Sequence, residues 1–424
     1  MHRHRHRLLA AIGSVAILAA GLLVAGCSPA GPGDSPAATE STSPSLSYAA
    51  RGPHAVGYRV FRTTDAQERP LMLRAWYPAS RPDDARPARI TYTAPNKFDE
   101  ELTPGKVITS VGRATLNARP QRQGGPYPLV VLSHAYGLSP IVYSTLAERY
   151  ASHGYVVLGP EHNEIFDGSL MGFWKALIDR PADIGRTIDR AERLTQPRAP
   201  LGGLIDLEHI AVVGHSYGGY TALAAGGARF DFDAYRARCA ALAADDPRTF
   251  FCDPVLPHES DMAARAGLPE VPSGLWPSLG DPRVTAVVSM AGDAYPFDER
   301  GLQALRVPVM ALGGTVDDGT PYAWGAELTY GNAGSQSKSL VSFPGAGHMI
   351  FLDPCENLPW TQASVWRDAL CTDAVWNARP IDVVAHYTTA FLRDTLDDDP
   401  EARAALAGQQ PRLEHVDYVT NRQP

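Results

Sequence analysis

The chain carries a series of short apolar runs, rich in valine, leucine and isoleucine, that longer stretches of mixed polarity separate. A short run without polar alternation is typical of a strand buried on both faces, as in a parallel sheet. The runs occupy residues 129–132, 156–158, 210–213, 285–289, 307–312 and 340–343. Helical periodicity predicts helices over residues 143–153, 182–194 and 381–396. This alternation predicts an α/β fold with a mostly parallel central sheet that helices cover on both faces.

The segments before these runs have a different pattern. Residues 58–61 and 71–77 are extended, half-apolar stretches that a polar turn separates, which predicts an antiparallel hairpin at the start of the fold. We expect the folded domain to span residues 48–397 and to be followed by a C-terminal tail over residues 398–424.

The first residues of the chain predict export. Residues 1–7 alternate His and Arg, residues 8–24 are almost wholly apolar, and small residues lead to Cys27. This pattern predicts a lipoprotein signal peptide over residues 1–26, cleaved before Cys27, whose thiol then carries a lipid. The alternative interpretation is an uncleaved transmembrane anchor. Residues 27–47 are rich in Pro, Gly, Ser, Thr and Ala, so we expect a flexible tether that holds the domain outside the cytoplasm at the cell membrane.

The remaining four cysteines form an even set, which in an exported protein predicts two disulfides. Sequence permits three connectivities, and we favour Cys239 with Cys252 and Cys355 with Cys371. Each of these pairs closes a short loop, worth about 3 kcal/mol in the chain-entropy model. The alternative is that the four remain buried free thiols.

Residues 228–280 form an insertion between two predicted strands and contain the first disulfide pair together with several aromatic residues. Insertions at this edge of an α/β sheet commonly form lids, so we expect this one to wall an apolar pocket. Decoration of the surface is the alternative.

The formal net charge of the chain is −8, which argues against nucleic acid as a partner.

The motif Gly214-His215-Ser216-Tyr217-Gly218 follows one apolar run and leads into a helical stretch of small residues. A serine at the apex of such a strand–turn–helix has its hydroxyl held clear of the backbone, and the glycines let strand and helix approach closely. We therefore predict that Ser216 is a nucleophile. A helix-capping serine is the alternative.

Two later runs deliver partners for Ser216. Asp317 lies in a tight loop after residues 307–312, and His348 lies on a glycine-flanked loop after residues 340–343. Because the carboxyl ends of parallel strands meet at one edge of the sheet, we expect Ser216, Asp317 and His348 to form a catalytic triad. Asp318 is the competing acid.

A tetrahedral intermediate also needs two N–H donors for its oxyanion. We expect the backbone of Tyr217 to supply one and the backbone of Tyr136, in the loop after residues 129–132, to supply the other. His134 in that loop is then expected to form hydrogen bonds and not to act as a base. His134 and His162 also raise the alternative of a metal site, but no tight ligand spacing supports it. We predict no metal.

Several stretches together resemble a bacterial branch of the α/β-hydrolases that groups platelet-activating-factor acetylhydrolase-like esterases with predicted dienelactone hydrolase-like proteins. They are Ala75-Trp76-Tyr77-Pro78-Ala79, residues 128–134, residues 152–157 with Glu161-His162, residues 214–222, residues 281–284 and Gly347-His348. The resemblance spans nearly the whole domain. It implies the α/β-hydrolase fold, no cofactor, a triad of Ser216, Asp317 and His348, and oxyanion donors at Tyr136 and Tyr217.

Two positions depart from this family pattern. Ala135 stands where the oxyanion loop usually has glycine, and Ser216 stands where true dienelactone hydrolases have cysteine. A weaker similarity points to secreted cutinase-like polyester hydrolases. We therefore predict a serine carboxylic-ester hydrolase that forms an acyl-enzyme on lipid or small-molecule esters. The alternatives are a cutinase-like polyester hydrolase and a non-catalytic binding protein of the cell envelope.

Overall fold

A computed structural model describes residues 46–65, 68–80, 89–166, 172–243, 245–246, 248–371, 380–407 and 416–422. The predicted signal peptide, Cys27 and nearly all of the predicted tether lie outside these residues. Within the described part of the chain, no helix is both long and apolar enough to cross a membrane.

Twelve strands are present among the described residues. They are β1 (Ala55–Thr64), β2 (Pro70–Ala79), β3 (Ile90–Pro95), β4 (Val107–Gly112), β5 (Thr115–Leu116), β6 (Tyr127–Ser133), β7 (Val156–Pro160), β8 (Ile205–His215), β9 (Ala286–Met290), β10 (Val309–Gly314), β11 (Lys338–Phe343) and β12 (Asp417–Thr420). Ten of them form the main sheet in the order β12-β11-β10-β9-β8-β6-β7-β2-β1-β5, and β3 pairs with β4 in a small antiparallel sheet.

The six strands from β11 to β7 run parallel to one another, which confirms the predicted mostly parallel sheet. Every residue of β6, β9 and β10 is buried, so these strands read as continuous apolar runs. The predicted antiparallel hairpin is also confirmed, because β1 pairs antiparallel with β2. Strand β2 joins the hairpin to the parallel strands by pairing antiparallel with β7.

Helices cover both faces of the main sheet. The α-helices are α1 (Ser144–Ser152), α2 (Phe173–Leu194), α3 (Tyr217–Ala225), α4 (Phe232–Ala240), α5 (Thr249–Cys252), α6 (Glu259–Arg265), α7 (Asp298–Leu302), α8 (Ala326–Asn332), α9 (Arg367–Cys371), α10 (Pro380–Leu396) and α11 (Pro400–Leu406). Short 3-10 helices span Pro140–Tyr143, Leu256–His258, Tyr322–Trp324, His348–Phe351, Cys355–Asn357 and Pro359–Ala363.

Two hydrophobic cores lie on opposite faces of the sheet. Leu129 and Val131 of β6 pack in the core that contains α2 and α3, whereas Val130 and Leu132 pack in the core that contains α1 and α10. This division follows from the strand geometry, because successive side chains of a strand point to opposite faces.

The C-terminal segment differs from the expected tail over residues 398–424. Ala402 and Leu406 of α11 are buried, and β12 extends the main sheet by pairing antiparallel with β11. The domain therefore continues beyond residue 397. A strand of four residues is too short to show a periodicity of its own. Its partner β11 also lies some eighty residues earlier in the chain, so local pattern could not reveal the pairing.

The insertion over residues 228–280 contains α4, α5 and α6 and the Cys239–Cys252 disulfide, and the second disulfide joins Cys355 to Cys371. Four of its described aromatic side chains do not project into solvent as a cover. Phe230, Phe232, Tyr235 and Trp276 are all buried in the core that contains α3, where they contact one another and Phe297. The insertion is thus packed as part of the core.

Candidate active site

A sharp turn between β8 and α3 places Ser216 at the carboxyl edge of the main sheet. The backbone of Ser216 has φ 57° and ψ −122°, a conformation that L residues rarely adopt. Gly214 and Gly218 have to be glycines, because their surroundings leave no room for a Cβ. A Cβ on Gly214 would lie 2.0 Å from the Gly218 carbonyl oxygen, and a Cβ on Gly218 would lie 2.1 Å from the Ser133 carbonyl oxygen. The local sequence therefore folds into a tight strand–turn–helix elbow with Ser216 at its apex.

Ser216, His348 and Asp317 come together in one hydrogen-bonded line. The Ser216 hydroxyl lies 2.8 Å from Nε2 of His348, and Nδ1 of His348 lies 2.9 and 2.8 Å from the two Asp317 carboxylate oxygens. With Asp317 accepting from Nδ1–H, the neutral imidazole leaves Nε2 to accept the serine proton. Such an arrangement can activate a hydroxyl for attack on a carbonyl.

Opposing effects act on the imidazole of His348. Burial lowers its pKa, but the charge and hydrogen bond of Asp317, together with the charges of Asp293 and Asp318, outweigh burial, so the pKa of His348 is raised above its usual value. The imidazolium that forms when the serine loses its proton is thereby stabilised.

The structure separates the two candidate acids. Asp317 is 8% exposed and accepts a 2.7 Å hydrogen bond from the Thr320 amide as well as the bond from His348. Asp318 is exposed to solvent. Asp317 is therefore the carboxylate that orients the histidine.

The two predicted oxyanion donors lie on neighbouring segments. Tyr217 is the first residue of α3, where amides have no intrahelical acceptor. Tyr136 is held on both sides, because the Ala135 amide donates to the Tyr143 hydroxyl at 3.2 Å and the Gly137 amide donates to Glu164 at 3.2 Å. The rings of Tyr136 and Tyr217 meet edge to face with centroids 5.6 Å apart.

Comparison with solved structures identifies this architecture. The chain superposes on a ferulic acid esterase from Streptomyces cinnamoneus with a TM-score of 0.53 and 21% sequence identity, over 87% of this chain and 97% of that one. The chain has the α/β-hydrolase fold.

Sequence comparisons find partial matches that fit this fold. The family model for chlorophyllase matches residues 96–248. Platelet-activating factor acetylhydrolase from Canis lupus familiaris is 28% identical over 218 residues, covering 38% of this chain and 48% of that protein. A chlorophyllase type 0 from Chenopodium album is 31% identical over 103 residues, covering 24% of this chain and 29% of that protein. The chain spans about half or less of the length of these curated relatives.

His215, the variable position before the serine of the α/β-hydrolase elbow, connects three loops. The Tyr143 hydroxyl donates to Nδ1 of His215 at 2.8 Å, and Nε2 of His215 donates to the His348 carbonyl oxygen at 3.0 Å. Burial holds the pKa of His215 well below its usual value, so the ring stays neutral. Through Tyr143, which also binds the Ala135 amide, His215 links the oxyanion loop to the histidine loop. The sequence motif includes His215 but gives no sign that it links these two loops.

A second acid, Asp293, lies behind the triad. Its carboxylate accepts from the Thr320 hydroxyl at 2.7 Å, and Thr320 also binds Asp317 through its amide. Burial raises the pKa of Asp293 to about 6. Sequence analysis missed this residue, although it lies just after β9, and the strand-end argument that found Asp317 applies there equally.

The alternative metal site gains no support from the geometry. His162 lies between Asp183 at 2.8 Å and the Ser133 hydroxyl at 3.0 Å, and His134 contacts the Ala135 carbonyl oxygen at 2.7 Å. In the described ranges, no group of three or more His, Cys, Asp and Glu side chains is arranged to hold a metal ion.

Proposed function

We propose that the protein is a serine carboxylic-ester hydrolase that works through an acyl-enzyme. The observation that carries this proposal is the line from the Ser216 hydroxyl through His348 to Asp317, with both hydrogen-bond steps shorter than 3.0 Å. The printed names of the relatives, an acetylhydrolase and an esterase among them, support an ester substrate.

The chemistry follows from these atoms. Nε2 of His348 takes the Ser216 proton as the oxygen attacks the ester carbonyl, and Asp317 stabilises the imidazolium. The amides of Tyr217 and Tyr136 bind the oxyanion of the tetrahedral intermediate. Collapse breaks the ester C–O bond, and the histidine returns the proton to the leaving alkoxide. Water, activated by the same imidazole, then attacks the acyl-enzyme and frees the acid and Ser216.

We propose that the substrates are lipid or small-molecule esters. The printed names of the relatives, platelet-activating factor acetylhydrolase and ferulic acid esterase, support esters of lipids or small molecules. Cutinase-like hydrolysis of polyesters is the second candidate. A non-catalytic binding protein is the third, because the same fold also carries functions without catalysis.

A fluorophosphonate probe tests the nucleophile directly. We expect the probe to label the wild-type protein and to leave Ser216→Ala unlabelled, because the probe traps only an activated serine. Ser273→Ala is the matched control, since Ser273 is exposed and distant in sequence from every proposed active-site residue. If the folded wild-type protein does not react, the enzyme hypotheses are wrong and the binding protein is favoured.

Substrate class is tested by hydrolysis of p-nitrophenyl esters of increasing acyl length beside triolein and a solid polyester. We expect turnover of the soluble esters or triolein, abolished in Ser216→Ala. Preferential release of product from the solid polyester would instead favour the cutinase-like candidate.

We also propose that the protein is a lipid-anchored lipoprotein outside the cytoplasm. The apolar leader that ends in small residues before Cys27 supports the anchor. The two disulfides support an oxidising compartment, where such bonds persist.

A further inference from the structure

The oxyanion loop, residues 133–137 after β6, contains one peptide whose orientation decides where a predicted oxyanion donor points. In a trans peptide the C=O and the N–H point in opposite directions. The carbonyl of Ala135 and the amide of Tyr136 belong to the same peptide. Whatever holds the Ala135 carbonyl oxygen therefore also sets the direction of the Tyr136 N–H.

Two buried side chains hold that carbonyl. Nδ1 of His134 lies 2.7 Å from the Ala135 carbonyl oxygen, and Nη2 of Arg180 lies 3.4 Å from it. The tautomer of His134 follows from its other nitrogen, because Nε2 accepts the His162 amide proton at 3.1 Å and Nδ1 must then carry the hydrogen. Arg180 also donates to the preceding carbonyl, that of His134, at 2.6 Å.

Glu164 completes the arrangement from the other side of the loop. It pairs with the guanidinium through a 3.0 Å bond from Nε and a second contact from Nη2, and its Oε1 accepts the Gly137 amide. Arg180 is 0% exposed, so removal of this partner would leave a buried charge uncompensated. The same guanidinium lies 5.1 Å over the ring of Tyr217, the residue of the other oxyanion donor.

We propose that Arg180 and Glu164 form a clamp that fixes the peptide between Ala135 and Tyr136, so that the Tyr136 N–H is preoriented as an oxyanion donor. They are positioning residues and contact no reacting atom. The proposal rests on the proposed function. It also explains how the loop keeps one conformation with Ala135 in place of the usual glycine, since three hydrogen bonds from the clamp and two from His134 and Tyr143 hold its backbone.

The test compares Arg180→Lys with Arg193→Lys, an exposed position on the same helix α2. A lysine keeps the charge but lacks the planar fork that spans two carbonyls and a carboxylate. Hydrogen–deuterium exchange over residues 133–138 reports the clamp without any need for catalysis, and we expect faster exchange in Arg180→Lys only. Unchanged exchange would overturn the clamp.

Kinetics on a p-nitrophenyl ester report the consequence for the oxyanion. We expect kcat of Arg180→Lys to fall by about 100-fold with KM close to wild type, because a misdirected donor is lost only in the transition state. Affinity for a trifluoromethyl ketone, which mimics the oxyanion, should fall in parallel. A structural role alone would lower the melting temperature and leave kcat per folded molecule unchanged.

Glu164→Gln is the second variant, because it keeps an oxygen for the Gly137 amide but loses the charge. We expect the same kcat loss at smaller amplitude. Faster exchange with unchanged kcat would overturn the positioning role, and so would loss of folding in both variants. A folded wild-type protein without esterase activity contradicts the proposed function, and the exchange result then still decides whether the clamp exists.

Discussion

At the scale of single residues, the site depends on His348, whose pKa is lowered by burial and raised by neighbouring carboxylates. Burial disfavours the charged imidazole of His348, and the neighbouring carboxylates, Asp317 foremost, together favour the charge enough to raise its pKa. A base must be neutral to accept a proton. We therefore expect kcat/KM to rise with pH, through an apparent pKa above the ordinary histidine value.

Asp317→Asn tests this balance. We expect kcat to fall by about 10³- to 10⁴-fold, because the amide neither fixes the tautomer nor stabilises the imidazolium. The apparent pKa of any residual activity should fall, since the main charge that raises it is gone. Steady-state kinetics across pH measure both effects.

Asp318→Asn is the matched control, because this neighbouring acid is exposed. We expect it to keep nearly wild-type kcat. Equal losses in the two variants would contradict the assignment of Asp317 as the orienting acid.

At the scale of elements, side-chain hydrogen bonds hold helix α3 against helix α2. Helix α2 contains Pro181, which has no N–H for the carbonyl four residues earlier. That carbonyl, of Leu177, accepts the Tyr220 hydroxyl of α3 at 2.6 Å instead. Tyr217 likewise donates to the Phe173 carbonyl. These bonds lock the elbow helix against the helix that carries Arg180.

The contact between the elbow and β6 gives a prediction at this scale. Gly218→Ala would place a Cβ 2.1 Å from the Ser133 carbonyl oxygen, where backbone atoms cannot yield cheaply. We expect the free energy of unfolding to fall by about 3 kcal/mol or more and labelling of Ser216 to be lost. Chemical denaturation and the fluorophosphonate probe measure the two effects.

Gly331→Ala provides the control within α8, because nothing lies within 4 Å of the added Cβ. Alanine favours a helix over glycine, so we expect stability to stay the same or rise by up to about 1 kcal/mol. A tolerated Gly218→Ala would show that the elbow has more room than its geometry indicates.

At the scale of the whole molecule, the main sheet carries the candidate site at one edge, and the lipoprotein proposal assigns the compartment to the N-terminal segment. If the lipoprotein proposal is right, Cys27→Ser should move the protein from the membrane fraction to the soluble extracytoplasmic fraction or block cleavage of the leader. Immunoblots of fractionated cells and the mass of the mature N-terminus measure this.

We expect Cys27→Ser to leave the domain itself unaffected, because Cys27 lies outside the domain predicted from residue 48 onwards. Esterase activity per molecule should therefore match that of the wild type. An unchanged distribution between fractions, with an unmodified Cys27 in the wild type, would rule out the anchor.

Much of this architecture was predictable from local pattern. Buried parallel strands need continuous apolar runs, and a serine elbow needs glycines at fixed spacing, so β6, β8, β10 and the position of Ser216 could be read from neighbouring residues. Chain order after successive strands also named Asp317 and His348. Each of these signals lies within a few residues of the feature that it predicts.

Tertiary structure alone decided what depends on residues distant in sequence. Burial distinguished Asp317 from Asp318, pairing with β11 turned the expected tail into strand β12, and hydrogen bonds across the fold joined Arg180 to the oxyanion loop. A lone arginine in a helix or a four-residue edge strand has no periodicity that marks its partner. The sequence determined the elements and their reactive residues, whereas the packed fold determined which polar groups meet, because only packing removes them from water and makes their pairing obligatory.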